Sequence, residues 1–348
     1  MGEERAGGSG RAMLALAAIV VVAAGVKLAA WIIAPLMLAL VLVVVASPAR
    51  RFLIARGWPR WAGTLAAQAV LVAIVLAFAL VLTIAVAQLS ALALDYGDEA
   101  AALRDNLEER LAAAGVGGGE GAALASKLDF GTLVNAVTAL LGSVTSVAAA
   151  LFLILGVLLF MALDAGGFGS RLDAVARTRP GLARGLRTFA SGTRRYLLVA
   201  TVFGFAVAVL DGVALWLLGV PLPLLWALLA FITNYIPNIG FVIGLVPPAL
   251  LALLDGGLAT FLWVVVIYCA VNVVLQVLIQ PKVVGDSVDL SATVAFVSVI
   301  AWAWLLGGIG AILAIPLTLL VKYTLIDADP RTVWVGALID ANTPKRRR

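Results

Sequence analysis

Long apolar runs separated by short charged segments form the dominant pattern of this chain. The first run extends from Ala12 to Ala46, and the next from Trp61 to Leu94. As one helix, the 35 residues of the first run would reach about 52 Å, whereas the hydrocarbon core of a membrane is about 30 Å thick. We therefore predict two short spans in a hairpin that breaks between Lys27 and Pro35.

The middle of the chain contains two further predicted spans, at about Val144–Leu163 and Tyr196–Gly219. Between the second and third runs lies the acidic region 95–143, with eight acidic and three basic residues. Leu103, Leu107 and Leu111 recur there at the spacing of an amphipathic helix. We expect this region to be helical and extracytoplasmic.

The C-terminal third has two overlong apolar runs, Leu224–Leu254 and Leu290–Val321, on either side of a predicted span at Leu258–Gln280. Each overlong run is interrupted near its midpoint, at 234–240 and at 307–310. Each could fold as a re-entrant pair of half-helices or cross the membrane, and the parity of the crossings allows both. Paired interruptions of this kind indicate a transporter binding site.

The composition places the chain in the membrane. Hydrophobic residues make up 64% and charged residues 12%, against about 45–50% and 25% in soluble domains. The fold class is therefore an all-α polytopic membrane protein with about 6–8 transmembrane helices, two broken or re-entrant segments in the C-terminal third and a long amphipathic helical excursion.

The chemistry of the sequence argues against an enzyme. The absence of histidine removes Ser-His-Asp triads and histidine metal sites, and the single cysteine, Cys269, forms no intrachain disulfide. No nucleophile–base set or metal cluster is visible, so no enzyme activity, cofactor or metal is predicted.

The net charge of +5 lies mainly in loops that the positive-inside rule places in the cytoplasm. Arginines crowd the segments 47–60 and 164–195, and the chain ends in a basic run, 345–348. These charges favour anionic lipid over nucleic acid as a neighbour. We therefore divide the chain into six regions. They are a cytoplasmic N-terminus (1–11), a transmembrane hairpin with a long third helix (12–94), the extracytoplasmic acidic region (95–143), a fourth span with a basic cytoplasmic loop (144–195), a transport core (196–322) and a basic cytoplasmic tail (323–348).

The interruption at 234–240 is the first candidate binding element. Pro237 removes a backbone donor, while Asn234 and Asn238 bring amides to membrane depth beside Tyr235. Freed backbone groups there can hold a polar solute or an ion. The alternative is a plain proline kink whose asparagines satisfy the freed groups. Gly240 and Gly244 favour close helix packing.

Asn272, Gln276 and Gln280 form the second candidate, because a spacing of four places all three on one face of a helix. An amide row in hydrocarbon must face protein or water, so it either lines a solute pathway or joins helices by hydrogen bonds.

Asp211 is the third candidate, since a carboxyl group deep in a span is costly unless it has a function. It can couple transport to protons or sodium, or be a protonated or arginine-paired structural residue. Gly307, Gly308 and Gly310 form a flexible site that we interpret as a hairpin tip or a tight helix contact.

These features resemble the autoinducer-2 exporter-like (AI-2E) family over about residues 12–325. The resemblance lies in the run Asn234–Gly240 with Gly244 and Pro247-Pro248, and in two later patterns. The matching residues of the later patterns are Gln276, Gln280-Pro281, Gly285 and Leu290, and Trp302, Gly307, Gly310 and Ala314-Ile315-Pro316. Pro35 and the turn at 47–50 fit the opening hairpin of the family.

The resemblance implies a secondary transporter, exporter or permease of the bacterial inner membrane that moves autoinducer-2 or a similar small polar solute. It also implies a homo-oligomer, a pentamer, with an elevator-like C-terminal part. The alternatives are a Na⁺/H⁺ antiporter-type cation exchanger and a passive channel for neutral solutes. The expected partners are a small-molecule or ion substrate and the lipid bilayer, without nucleic acid.

Overall fold

The computed structural model describes residues 17–18, 20–95, 144–164, 167–237, 239–280, 290–329 and 332–339. The described residues form helices and turns, with no strand among them. The predictions for the N-terminus 1–11, for the loop after Pro281, for the basic end of the tail and for nearly all of the acidic region lie outside the described residues.

The first helices differ from the predicted opening hairpin. Residues 20–28 are helical and lead into α1 (Ala30–Ala55). The backbone ladder continues through Ala29, which donates to the Gly25 carbonyl and accepts from Ile33. The expected turn between Lys27 and Pro35 is therefore absent. A proline inside a helix costs one backbone bond, and the rest of the ladder stays intact because hydrocarbon offers the backbone no other partner.

The chain turns at Gly57, where φ is 89°, into α2 (Arg60–Asp95). Further on lie α3 (Val144–Asp164), α4 (Phe168–Thr178) and α5 (Pro180–Leu217). Most of the basic segment that we interpreted as a loop is thus helical. Pro180 suits the first position of a helix, where no backbone donor is required, so α5 begins there, well before its apolar part.

The remaining elements are α6 (Pro223–Thr233), α7 (Ile239–Asn272) with a π-helical segment (Val273–Ile279), α8 (Ala292–Ile312), α9 (Ala314–Val321) with a second π-helical segment (Lys322–Ile326), and α10 (Val333–Ile339). Four of the described helices are long and apolar enough to cross a membrane: α1, α5, α7 with its π-helical segment, and α8. Shorter apolar helices accompany them. The predicted all-α polytopic class is confirmed.

The chain divides into two compact units. The first comprises residues 1–48, 152–193 and 289–348, and the second residues 49–151 and 194–288. In the first unit, Gly307 breaks α8 with φ 69° and ψ −151°. Gly310 then packs so closely on the Trp302 carbonyl that a Cβ would overlap it, and the Trp302 indole donates to Thr318 Oγ1 at 3.0 Å. The two arms around Gly307 therefore run antiparallel.

The C-terminal arm of the first unit packs on the start of α5. Gly185 lies directly against the Tyr323 carbonyl, and Gly181 lies against that of Ala328. Lys322 is buried and pairs with Asp327 at 2.9 Å. Small residues on α5 thus let the two backbones approach without intervening side chains.

The second unit holds a core of buried apolar side chains around α5, α6 and α7. Its members are Leu215, Val220, Trp226, Ala249, Leu251, Ala252, Val264 and Tyr268. Gly257, with φ 71°, breaks α7 into two arms. Residues from both arms share this core, so burial of apolar surface holds the arms together.

Candidate functional site

The break between α6 and α7 is a tight reversal of the chain. After Thr233 the helical ladder gives way to turn bonds, in which Ile236 donates to the Thr233 carbonyl at 2.8 Å and Gly240 to the Ile236 carbonyl at 3.0 Å. A Cβ on Gly240 would overlap the Thr233 carbonyl oxygen, so only glycine fits there. The Pro237 carbonyl accepts from Ile239 at 2.7 Å. Asn238 lies outside the described residues.

The side chain of Asn234 joins three elements at this reversal. Its Nδ2 donates to the Ala200 carbonyl on α5 at 2.9 Å, and its Oδ1 accepts from Gln276 Nε2 in the first π-helical segment at 2.7 Å. Gly204 on α5 leaves the room for this amide, because a Cβ there would lie 2.7 Å from Nδ2. One asparagine therefore links α5, the reversal and the π-helical segment.

Tyr235 is held by a second set of hydrogen bonds to α5. Its hydroxyl lies 2.7 Å from Thr201 Oγ1. Since Thr201 has one hydroxyl hydrogen and donates it to the Leu197 carbonyl at 2.6 Å, Tyr235 is the donor of the shared bond. The Tyr196 hydroxyl donates to the Tyr235 carbonyl at 2.9 Å. The reversal is thus attached to α5 through both backbone and side chain.

The other predicted residues of the amide row lie at the two ends of the π-helical segment. Asn272 and Gln280 are half-buried, and neither makes a side-chain hydrogen bond to the described residues. Of the predicted amides, the described structure therefore brings together Asn234 and Gln276. π-Helical turns are rare and occur frequently at functional sites.

The predicted glycine tip belongs to the first unit. Gly307 takes a positive φ, Gly308 has open space around its Cα, and Gly310 contacts the backbone of Trp302. This is a glycine-dependent reversal, and the side-chain hydrogen bond described across it is the one from the Trp302 indole to Thr318 Oγ1.

Asp211 is buried among apolar side chains of the second unit, with 2% of its surface exposed. Its Oδ1 has no hydrogen-bond partner among the described residues, and no described arginine pairs with it. The Tyr268 hydroxyl on α7 is likewise buried and has no hydrogen-bond partner among the described residues.

Several residues of the site were missed from the sequence, although a signal was available. Tyr196, Ala200 and Gly204 follow the four-residue spacing of one α5 face, so a row of small and polar positions marks the contact with Asn234. Tyr268 precedes Asn272 by four residues and extends the amide row by one turn. Only the pairing across helices required the structure.

The second unit therefore presents amides and hydroxyls around a chain reversal, between helices of membrane-spanning character. Amides both donate and accept hydrogen bonds, so the site can exchange partners with a polar, uncharged solute. The described residues contain no group of three or more His, Cys, Asp or Glu side chains that could hold a metal ion.

Comparison with known proteins gives a consistent assignment. Residues 16–328 match the model of the AI-2E family transporters. The chain is 31% identical to the AI-2 transport protein TqsA of Escherichia coli K12, covering 90% of this chain and 91% of the relative. It is 29% identical to the putative transport protein YhhT of the same organism, covering 89% and 88%. A putative transport protein of Haemophilus influenzae is 29% identical, covering 94% and 96%. The chain belongs to the AI-2E family of membrane transport proteins.

Proposed function

We propose that this protein is a secondary active transporter that moves a small polar solute across the bacterial inner membrane. The hydrogen-bonded bridge from Ala200 through Asn234 to Gln276 carries the proposal. It places exchangeable amide groups where α6 and α7 reverse direction. Non-helical backbone at membrane depth is tolerated only in protein or beside a wet cavity, and it is typical of transporter sites.

The lengths of the helical arms support a re-entrant arrangement. α6 has 11 residues and reaches about 16 Å, far short of a bilayer core of about 30 Å. The arms on either side of Gly307 reach about 20 Å each. Residues 258–279 reach about 33 Å, which suffices for one complete crossing. We therefore propose two re-entrant hairpins around one true span, within the transport core 196–322.

In the described conformation, both ends of the Asn234 amide are hydrogen-bonded to the protein, to the Ala200 carbonyl and to Gln276. We propose that the solute binds by replacing Gln276 as the partner of Asn234, while Ala200 keeps the asparagine oriented. Tyr235, Pro237, Asn238, Gly240, Asn272 and Gln280 complete the proposed path. The name of one relative, an AI-2 transport protein, suggests an autoinducer-2-like signal as the first solute to test.

The elevator-like movement and the pentameric homo-oligomer implied by the resemblance belong to this proposal. So does ion coupling at Asp211. A Na⁺/H⁺ antiporter-type cation exchange is a second candidate because a buried carboxyl group lies on α5. A passive channel for neutral solutes is the third.

A flux experiment distinguishes these candidates. Purified protein in liposomes is given autoinducer-2 or a panel of small polar solutes under a pH or sodium gradient. Accumulation against the solute gradient supports the transporter and rejects the channel. Ion exchange without solute movement supports the cation exchanger.

Two variants connect the flux to the site. Asn234→Leu removes the bridge and is expected to abolish solute movement, whereas Thr260→Val, near the Gly257 bend, is expected to retain it. Folding of both is checked by size-exclusion chromatography in detergent. Full solute movement by folded Asn234→Leu protein would reject the site.

A further inference from the structure

A groove of about 610 Å³ runs along the contact between α5 and α6 in the second unit. The two helices approach closely at Gly212, where a Cβ would lie 2.9 Å from the Ala227 Cβ. The lining side chains are aliphatic or aromatic, so the groove offers its contacts to an apolar ligand. They include Phe205, Val209, Val213 and Trp216 on α5, and Leu224 and Phe231 on α6.

The groove faces away from the apolar core that α5 and α6 share with α7. Leu215 is fully buried in that core, whereas Trp216, the next residue, is 69% exposed. On α6, Trp226 is buried in the core and Leu224 is exposed. Because α5 is long and apolar enough to cross a membrane, this exposed side of the helix lies in the hydrocarbon of the bilayer. The groove is therefore open to lipid.

The length of the groove is that of one leaflet of the bilayer. From Phe205 to Trp216, α5 advances 11 residues, or about 16 Å. Half of a hydrocarbon core of about 30 Å is about 15 Å. Trp216 is the residue before the last one of α5, so the groove extends from the membrane surface to near the midplane. An acyl chain of a lipid runs over the same depth.

The width of the groove distinguishes an acyl chain from a helix of a second copy. A volume of about 610 Å³ spread over about 16 Å gives a mean width of about 7 Å. A helix with its side chains is about 10–12 Å across, so it can insert only its side chains. A chain of methylene groups is thinner, and it can contact both helices along the whole groove.

Trp216 supplies a polar group at the surface end of the groove. Its indole N–H makes no hydrogen bond to a described residue, whereas that of Trp226 donates to the Pro221 carbonyl at 3.0 Å. A tryptophan at the membrane surface keeps its ring among the lipids and its N–H at the level of the head groups. The ester carbonyl at the end of an acyl chain is an acceptor at that level. A phospholipid therefore matches both parts of the groove.

We propose that this groove binds one acyl chain of a membrane phospholipid, with the ester end at Trp216 and the methyl end at Phe205. The deep part of the chain packs on Phe231, whose ring lies edge-on to that of Tyr235 with the centroids 5.6 Å apart. The bound lipid thus supports the residue that attaches the α6–α7 reversal to α5. This site goes beyond the proposed function, and lipid binding requires no solute transport.

Photolabelling of the full chain in detergent tests the site. The probe is phosphatidylethanolamine with a diazirine on one acyl chain, added at increasing ratios to delipidated protein, and the adducts are located by mass spectrometry. We expect labelling to saturate first on residues 205–216 and 223–231. A diazirine beside the ester is expected to label near Trp216, and one at the methyl end near Phe205. Labelling spread evenly over the exposed apolar faces at every ratio, or the reverse order along α5, overturns the proposal.

Two tryptophan variants of α5 either fill the groove or leave it open. Val213→Trp adds bulk inside the groove, at a position that is 49% exposed. We expect it to lower labelling at low lipid ratios about tenfold, a loss of about 1.4 kcal/mol in binding free energy, because the indole takes up room that the chain needs. Leu210→Trp, at a position outside the groove that is 46% exposed, is expected to label like wild type.

The same two variants give the outcomes that contradict the proposal. Equal labelling of folded Val213→Trp and Leu210→Trp protein overturns it. So does a groove that takes up no probe while Val213→Trp splits an oligomer in size-exclusion chromatography, because the occupant would then be a second copy of the chain.

Discussion

Two of the chain reversals that the structure describes in the C-terminal third are built in different ways. The one between α6 and α7 is attached to its surroundings by side chains, through Asn234 and Tyr235. The one at Gly307 depends on a backbone conformation, with φ 69°, that L side chains rarely adopt. Gly257 resembles Gly307 in this respect, with φ 71°.

This difference bears on function. A reversal that depends on hydrogen bonds can exchange its partners, because a solute can offer the same donors and acceptors. At the Gly307 reversal no side chain of the turn itself makes a hydrogen bond to the described residues. Its arms are joined by the close packing of Gly310 on Trp302 and by the hydrogen bond from the Trp302 indole to Thr318. We therefore propose that the first reversal recognises the solute, and we expect the second to respond chiefly to changes of backbone and volume.

The largest expected effect comes from filling the one glycine on which the first reversal depends. Gly240→Val places atoms where the Thr233 carbonyl lies, so the backbone must move. We expect a loss of about 3 kcal/mol or more in stability, at the upper end of the range for overpacking. Thermal unfolding in detergent measures it. A valine variant as stable as wild type would contradict the described turn.

Gly307→Ala is expected to have the next largest effect, a loss of about 2 kcal/mol, because alanine is strained at a positive φ. Gly308→Ala is the matched control. A Cβ there meets nothing within 4 Å, so alanine is expected to be neutral or slightly stabilising. Equal melting temperatures for the two variants would show that the break at Gly307 does not require its glycine.

The sequence predicted these breaks because Gly, Pro and Asn interrupt apolar runs that are too long for one span. The sequence did not predict that the helical hydrogen bonds continue through Ala29. Pro35 is compatible both with a turn and with a continuous helix, so its presence does not distinguish the two. The amide row was visible as a spacing of four. The pairing of Gln276 with Asn234 was not, because partners 42 residues apart depend on tertiary packing.

A smaller effect is expected from Gln276→Leu, which removes the donor to Asn234 Oδ1 and leaves that oxygen without this bond. A lost hydrogen bond with one polar group left behind costs about 1–2 kcal/mol. Gln280→Leu removes an amide of the same row that has no such bond, so its stability is expected to change less. Thermal unfolding of both variants in parallel compares them directly. A larger loss of stability in Gln280→Leu than in Gln276→Leu would contradict this expectation, because it would show that the more important amide is Gln280 and not Gln276.

Tyr235→Phe gives the smallest expected effect and the finest test of how the first reversal is held. It removes the hydroxyl that donates to Thr201 but keeps the ring, which packs edge-on to Phe231 with the centroids 5.6 Å apart. We expect a loss of about 1 kcal/mol. Combining it with Thr201→Val in a double-mutant cycle isolates the shared bond. Thr201→Val alone loses both this bond and the bond to the Leu197 carbonyl, so it is expected to cost less in the Tyr235→Phe background than in wild type. Fully additive losses would instead show that the two hydroxyls act independently, and that the bond from the Tyr196 hydroxyl to the Tyr235 carbonyl is what holds this residue to α5.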